Sequence, residues 1–271
     1  MNFRHIVRNI VIAKFTYFGI AWIYRRWARL HGPLTRIVVF HDVPDRVWFE
    51  KMIAVLMRET RVLTPREFVD GVRDEERINT LITFDDGYAS WVDVALPVLE
   101  SKNLKALFFI NSGLLDAASS PRAAHAFMRE SLLIHPRSPL TWDGAAQLQQ
   151  HGHTIGGHTE SHRSLAELSG EEVRIEIHSD KQKTESRLHT TVTEFAYPFG
   201  TSTHFTAEAI TAVERAGYVR AYTAISRFVR PLETFKMPRM CIEDDLTPAR
   251  LSRWINGAYD LFDMLKQLCV R

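Results

Sequence analysis

The sequence predicts an α/β fold in which parallel strands are covered by helices, either as a barrel or as a doubly wound sheet. Short apolar runs typical of buried strands alternate with helical patterns over about 200 of the 271 residues. Polar, glycine-containing stretches follow several of these runs, where the carboxyl ends of parallel strands would meet. With 45% hydrophobic residues, the chain can bury one large core. We therefore expect one main domain with its functional site at that rim.

The first element is a predicted amphipathic helix within residues 1–33, which we separate from a main domain at 34–271. Its aromatic residues stand among arginines. No apolar run in it reaches the roughly 18 residues that a membrane-spanning helix needs. The composition suits the headgroup region of an anionic bilayer, so it predicts peripheral contact with the cell membrane through residues 1–31, the cytoplasmic face being one option. A helix packed on the domain's own surface is an equal alternative.

The charge of the chain is unevenly distributed. The first 36 residues carry seven basic residues and no acidic one, which leaves 27 of the 34 basic residues against all 32 acidic residues. No basic stripe with interleaved aromatic residues recurs outside the N-terminus, which argues against a nucleic-acid partner. The two cysteines lie far apart and near no histidine in the sequence, so they indicate neither a zinc knuckle nor a disulfide framework.

The main domain alternates strands and helices along the chain. Apolar runs predict strands at 36–40, 61–65, 78–84, 105–110, 193–197 and 219–225. Helical patterns are found at 47–59, 65–72, 88–103, 141–152, 170–189, 205–217 and from 247 onward. Pro65 suits a first helical turn and Thr141 an N-cap, whereas Pro97 must kink or divide its helix. Residues 112–140 interrupt the alternation, and we interpret them as an insertion that shapes a substrate pocket.

Three polar stretches stand at predicted strand ends. They are FDDG at 84–87 after the run TLIT, HTESH at 158–162 after HTIGG, and YPFG at 197–200 after TEFA. His158 and His162 are four residues apart, so on a helical turn both imidazoles would face one cation. Two histidines and one carboxylate form a recurring open site for a divalent metal. The histidine pair alone could be a surface coincidence in a chain with 12 histidines, but the aspartate pair at a neighbouring strand end favours the metal site.

The adjacent aspartates Asp85 and Asp86 stand where burial of a carboxylate is costly. One of them can be a metal ligand, which offsets its charge, while the other is free to accept a proton from an attacking water. A turn at Gly87 can bring both carboxylates toward one pocket. The simpler alternative, an aspartate N-cap for the helix from Tyr88, explains only one of the two.

These stretches resemble the first three motifs of a known family. TFDDGY, HTESH and FAYPFG are similar to those of the polysaccharide deacetylases, also called the NodB-homology or family 4 carbohydrate esterases. The resemblance runs from about Ile37 to Asp245. Its first strand and the stretch GHTIGGHTESH also resemble the poly-N-acetylglucosamine deacetylase subgroup. The resemblance implies a distorted (β/α) barrel and metal-dependent removal of N-acetyl, or sometimes O-acetyl, groups from sugars.

The resemblance also implies roles for individual residues. Asp85 corresponds to the general base, and the metal ligands correspond to Asp86, His158 and His162. The usual metal is zinc, although cobalt or nickel suits the same ligands. The N–H of Phe199 would help to hold the oxyanion. As pocket walls for a sugar ring we expect Tyr197, Pro198 and Phe199, although YPFG is also an ordinary turn sequence.

Two departures from the family pattern leave roles open. Many members begin the third motif with an arginine that orients the base, but this chain has Ala196 there. Members also carry a late histidine that protonates the leaving amine, and no histidine follows His204. We expect Arg239 to supply the missing positive charge, with a surface ion pair as the alternative. His41 is the candidate proton donor, with a structural role as the alternative.

The main functional prediction is a metal-dependent hydrolase that removes N-acetyl groups from an amino-sugar polysaccharide or glycolipid. A close alternative is deacetylation or deformylation of a lipid-linked sugar, which the basic aromatic N-terminus would suit. A glycan-binding homologue that has lost catalysis is the alternative from another class. The full set of two aspartates and two histidines argues against it, because binding alone does not require that set.

Overall fold

The computed structural model describes residues 19–260 of the chain. Within them, all strands belong to one sheet of eight. The strands are β1 Thr35–Phe40, β2 Thr60–Leu63, β3 Ile78–Phe84, β4 Leu107–Ile110, β5 Thr154–Gly157, β6 Glu194–Ala196, β7 Arg220–Tyr222 and β8 Met240–Cys241. The helices are α1 Ile20–Arg29, α2 Arg46–Glu59, α3 Pro65–Val69, α4 Leu96–Ser101, α5 Ser112–Ala117, α6 Pro121–Glu130, α7 Trp142–Gln150, α8 Gly170–Leu188, α9 Ala207–Arg215 and α10 Pro248–Ile255.

The sheet is parallel throughout and curls into a distorted barrel. Its strand order is β7-β6-β5-β4-β3-β1-β8, and β2 pairs with β3 off this path. The segment around β8 joins the two sides of the sheet. Met237 forms a β-bridge with Tyr222 of β7, and Met240 of β8 pairs with Val38 of β1. This closure confirms the barrel and excludes the doubly wound sheet that the alternation alone had left open.

The burial of the strands explains why their sequences are continuous apolar runs. Every residue of β1 and β3 is buried, since helices cover the outer face of the sheet and side chains fill the inner one. Aromatic rings dominate the interior, and Phe84 stacks on Phe108 with 4.5 Å between ring centroids. This packing fixes the carboxyl ends of neighbouring strands at one rim.

Proline and capping residues set the helix boundaries largely as predicted. Pro65 begins α3 behind a capping box made by Thr64 and Glu67, and Thr141 caps α7. Pro97 divides its helix: a π-helical turn at Trp91–Ala95 precedes α4. The division follows from chemistry, because proline has no N–H and its ring clashes with the preceding turn.

Two segments lie outside the regular alternation. The insertion forms α5 and α6, which pack on each other through a small apolar cluster of their own. At the amino ends of β1 and β3, α1 packs over Leu34 and Ile78. No helix of residues 19–260 is long and apolar enough to cross a bilayer. Residues 1–18 of the predicted N-terminal helix lie outside the described residues, and the division at residue 33 stays a prediction.

Candidate metal and active site

The predicted functional residues converge at the carboxyl rim of the barrel. Asp85 and Asp86 follow β3, the HTESH stretch follows β5, and Arg239 precedes β8. They line a cleft of about 370 Å³. The convergence follows from the parallel register, which brings the ends of β3, β4 and β5 side by side.

Asp86, His158 and His162 form a buried cluster with the spacing of a metal site. Asp86 Oδ1 lies 3.5 Å from Nε2 of each histidine. A tetrahedral ion with bonds of 2.0–2.1 Å places its ligand atoms about 3.4 Å apart. Two of the three separations match this value, and all three ligand atoms lie within 4.8 Å of one another, so the residues could hold one divalent ion.

The hydrogen bonds of the two histidines fix the tautomer that a metal requires. Nδ1 of His158 lies 2.8 Å from the Ala196 carbonyl oxygen, and Nδ1 of His162 lies 3.3 Å from that of Ser131. Because a carbonyl only accepts, each Nδ1 carries the proton and each Nε2 lone pair is free. Ser131 ends α6, so the insertion orients one of the predicted ligands.

The charges around the cluster are balanced by close partners. Burial raises the pKa of Asp86, but its contacts with the two histidines outweigh burial and lower it. Burial lowers the pKa of His158, yet Asp85 and Asp86 together raise it. Burial lowers the pKa of His162 to about 4, so its imidazole is neutral near pH 7. The Tyr88 hydroxyl donates to Asp86 Oδ2 at 2.7 Å, which leaves Oδ1 for a cation.

The expectation that His158 and His162 share a helical turn is wrong. Residues 158–162 form a loop in which Thr159 and His162 have φ values of 65° and 55°. Left-handed conformations are costly for such residues and cluster at functional sites. The Asn111 side-chain amide supports the loop by donating to the carbonyls of His158 and Thr159. The imidazoles thus converge through loop geometry instead of helical spacing.

Two carboxylates of α8 support the loop of residues 158–162 by accepting hydrogen bonds from its backbone. Asp180 accepts from the backbone N–H of Ser112 at 2.9 Å and of His158 at 3.1 Å. One turn earlier, Glu176 accepts from the N–H of Ser161 at 2.9 Å. Gly157 permits this approach, because a Cβ there would lie 2.7 Å from Asp180 Oδ2. Neither residue is recognisable in the sequence as part of the site, because both are charged residues of a long polar helix.

Asp85 is held by Arg239 in a buried bidentate pair. Nη1 and Nη2 of Arg239 each lie 2.6 Å from one oxygen of Asp85. Arg239 is 1% exposed, so it is not the surface ion pair that the sequence left as an alternative. Burial raises the pKa of Asp85, but the guanidinium outweighs burial and keeps that pKa below its usual range. The pair thus keeps an ionised carboxylate beside the metal-type cluster.

His41 lies at the end of β1 and lines the same cleft. Its backbone carbonyl accepts from Trp91 Nε1 at 2.8 Å, which anchors the residue. Its half-buried imidazole makes no hydrogen bond to another of residues 19–260. The ring is therefore accessible to a ligand in the cleft.

The residues of the YPFG turn differ in how far they contribute to the cleft wall. The Phe199 ring packs against His162 at 4.6 Å, with a φ of 59° at its backbone. Tyr197 borders the cleft, but its ring stacks on Phe205 and its hydroxyl donates to the Phe235 carbonyl at 3.1 Å. Pro198 is buried and is not among the cleft-lining residues.

Several cleft residues were not singled out by the sequence. They are Asp42, Leu132, Ile134, Arg137, Ala224, Cys241, Ile242, Glu243 and Asp244. Burial raises the pKa of the Cys241 thiol to about 12, so without a metal it is a neutral thiol near pH 7. These residues come from four separate segments of the chain, and no local spacing connects them in the sequence.

Comparisons with known proteins agree with this geometry. A family profile described as polysaccharide deacetylase matches residues 73–221. YxkH of Bacillus subtilis (strain 168), named provisionally as a polysaccharide deacetylase, is 27% identical over 166 residues, which are 60% of this chain and 52% of the relative. This chain thus spans about half the length of that curated relative.

Two solved structures share the fold at low sequence identity. IcaB from Ammonifex degensii superposes with a TM-score of 0.67 at 19% identity, over 84% of this chain and 99% of that chain. The Streptococcus pyogenes deacetylase PplD, in complex with acetate, gives a TM-score of 0.66 at 18% identity, over 82% and 98%. Because the family profile covers more than half of the chain and the barrel is shared, the chain belongs to the polysaccharide deacetylase family.

Proposed function

We propose that this chain is a metal-dependent hydrolase that removes N-acetyl groups from an amino-sugar polysaccharide or glycolipid. The observation that carries the proposal is the juxtaposition of two devices in one cleft. The Asp86, His158 and His162 cluster fits a metal, and the neighbouring Asp85 is ionised by its pair with Arg239. Family membership adds the acyl-sugar substrate class.

Zinc is the metal that we propose, because two imidazoles and one carboxylate with open positions suit it, as they also suit cobalt or nickel. Bound there, the ion would polarise the acyl oxygen and lower the pKa of a water toward about 7. The residues that would hold it are Asp86 through Oδ1 and the two histidines through Nε2.

Asp85 has the position and charge of a general base. It accepts the proton of the attacking water as the water oxygen bonds to the acyl carbon. Arg239 keeps the carboxylate ionised and fixes its orientation, which is the role that Ala196 cannot fill. The Phe199 N–H makes no hydrogen bond within residues 19–260, so it is available to the oxyanion.

The final step needs a proton donor for the departing nitrogen. The carbon–nitrogen bond breaks, the nitrogen takes a proton and leaves as the free sugar amine, and acetate is the other product. We assign this proton transfer to His41, since it lines the cleft and its imidazole makes no hydrogen bond within residues 19–260. Replacing His41 with alanine should lower kcat about 10²–10⁴-fold. A near-normal kcat would remove it from this role.

Two further assignments remain proposals of the same kind. Peripheral membrane contact through residues 1–31 is supported by the excess of basic and aromatic residues there. A lipid-linked sugar is the alternative substrate that membrane contact alone would suggest. The inactive glycan-binding alternative is disfavoured, because a binding protein has no need for an ionised base beside three metal-type ligands.

Acetate release by the purified protein tests the proposal. A soluble N-acetylglucosamine oligomer and a lipid-linked acetamido sugar would be compared, with chelator, with chelator followed by excess zinc, and untreated. We expect the unaltered protein to release acetate, the chelator to abolish this release and added zinc to restore it. The Asp86→Ala variant should release no acetate. Release that persists unchanged in fully metal-free protein would refute metal dependence, and no release from any acetylated glycan would favour the binding protein.

A further inference from the structure

A second surface of the protein turns apolar side chains outward. On α1, the side chains of Trp22, Ile23, Trp27 and Leu30 are between 54 and 79% exposed. The last three follow an i, i+4, i+7 spacing, so they share one face of the helix. A helix on the surface of a globular protein normally turns that face toward the core.

The rest of α1 shows that this outward orientation is fixed by packing. Tyr24 and Ala28, on the adjoining face, pack over Leu34 and Phe228. The Tyr24 and Phe228 rings lie 5.8 Å apart. Because this inner face is occupied, rotation of the helix cannot bury the apolar face against the protein.

A turn distant in sequence extends the same surface. Leu232 is fully exposed with a φ of 66°. It borders a cleft of about 720 Å³ together with Trp27 and Arg230. Arg227 in this cleft is neutralised by Glu233, with which it forms a bidentate pair. Exposed leucine, tryptophan and arginine side chains thus surround one opening.

The charge of α1 indicates what kind of partner would bind this surface. α1 contains three arginines and no acidic residue. The guanidinium of Arg26 lies over the Trp22 ring at 5.9 Å, so a cation and an aromatic ring are presented together. Tryptophan and arginine side chains on an apolar ridge match the headgroup region of an anionic bilayer, where both kinds of group are stabilised.

We propose that α1 and the Leu232 turn dock on an anionic phospholipid bilayer and hold the catalytic cleft on the far side of the protein. α1 covers Leu34, next to the first residue of β1, whereas His41 follows its last residue. Six residues of strand span about 20 Å. Docked in this way, the enzyme reaches glycan that extends away from the membrane instead of a sugar held at the lipid surface. This consequence for the substrate rests on the proposed deacetylase function.

Vesicle sedimentation with the full chain tests the docking. Vesicles of phosphatidylcholine with roughly 30% phosphatidylglycerol would be compared with pure phosphatidylcholine. The test variant replaces Ile23, Trp27, Leu30 and Leu232 with serine. Its matched control replaces Val47 and Ile175, exposed apolar residues of α2 and α8, with serine. Circular dichroism melting would establish that both variants are folded.

We expect the test variant to bind anionic vesicles at least about tenfold more weakly, and the control to bind as the unaltered protein does. Equal binding by all three proteins would overturn the docking surface. So would a concentration-dependent dimer that the test variant loses in the absence of vesicle binding, because the face would then be an interface between copies.

Spin labels test the orientation without reference to activity. Single labels would be placed by Leu232→Cys and, at the catalytic rim, by Leu133→Cys, which is 70% exposed in the unaltered protein. Both would be made in a Cys241→Ser, Cys269→Ser background. We expect vesicles to raise oxygen accessibility at position 232 and to leave position 133 in water. A label at 133 that enters the bilayer would overturn the orientation, whatever the enzyme assay shows.

Discussion

Two buried arginine–aspartate pairs, one near each end of the barrel strands, have nearly the same geometry and different surroundings. At the amino end of β1, both terminal nitrogens of Arg36 bind the carboxylate of Asp260 at 3.0 and 2.7 Å. At the carboxyl end of β3, Arg239 binds Asp85 at 2.6 Å twice. All four side chains are nearly inaccessible to solvent.

The surroundings of the two carboxylates differ, and the difference indicates which pair takes part in catalysis. Asp260 receives a further hydrogen bond from the Ser226 hydroxyl at 3.1 Å, and Arg36 also donates to the carbonyl of Ile255, the last residue of α10, at 3.1 Å. Asp85 faces the cleft, 3.9 Å from His158 Nε2. A buried pair therefore does not by itself indicate function. What distinguishes Asp85 is an ionised oxygen that a substrate can reach.

The largest difference is expected between Asp85→Asn and Asp260→Asn. Loss of a general base should lower kcat of the first about 10²–10⁴-fold, since asparagine cannot accept the proton. The second should keep its kcat per folded molecule, because Arg36 and Ser226, the hydrogen-bond partners of Asp260 among the described residues, do not line the catalytic cleft. Acetate release, normalised to the folded fraction from circular dichroism, measures both. Equal losses in the two variants would contradict the distinction.

Removing the cations sharpens the comparison. Arg239→Met and Arg36→Met each leave a buried carboxylate unpaired, so each should lower the free energy of unfolding by about 3–5 kcal/mol. Only Arg239→Met should also move the acidic limb of the kcat/KM pH profile upward, because the pKa of Asp85 then rises. Urea unfolding and pH-rate profiles measure the two effects. An upward shift of that limb in Arg36→Met would show that stability, not the base, controls the rate.

The two ends of β5 offer a similar contrast, with His153 before the strand and His158 after it. His153 Nδ1 accepts from the Ala106 N–H at 3.0 Å, and burial lowers the pKa of His153 to about 4. The unfolded chain binds this proton at higher pH than the folded chain. Stability should therefore fall by up to about 3 kcal/mol as pH drops from 6.5 to 4.

In His153→Asn, which keeps an acceptor and cannot titrate, we expect this part of the pH dependence of unfolding to disappear. The exposed His125→Asn is the control and should retain it. Urea unfolding between pH 4 and 7 measures the slopes. A slope in His153→Asn as steep as in the unaltered protein would assign the dependence to other groups.

The smallest expected effect is that of Asp180→Asn. Asparagine has one side-chain acceptor for the two backbone N–H groups, of Ser112 and His158, that Asp180 binds. The histidine loop should therefore become more mobile, while all three metal ligands remain. We expect about 10–100-fold weaker zinc binding, typical of changes behind metal ligands. Competition with a fluorescent chelator measures it, and the exposed Asp143→Asn serves as control. Unchanged zinc affinity would show that the other supports of the loop suffice.

Local sequence predicted most of the elements but few of the supports around the site. The alternation of strand and helix patterns placed seven of the eight strands to within a few residues but did not predict β8, and Pro97 divided its helix for the reason expected. The loop conformation of residues 158–162 was not predictable, because left-handed φ values at Thr159 and His162 are imposed by tertiary hydrogen bonds. Asp180 and Ser131 gave no signal, since their role depends on which backbone groups they meet.

The sequence by itself determined an apolar, alternating chain with acidic and imidazole groups after its strands, because these features depend only on composition and spacing. Tertiary structure decided which groups meet. Barrel closure at Met237 and Met240 brought Arg239 to Asp85 across 154 positions of chain. It also decided which face of α1 is exposed. Both outcomes depend on long-range packing, which local propensity does not encode.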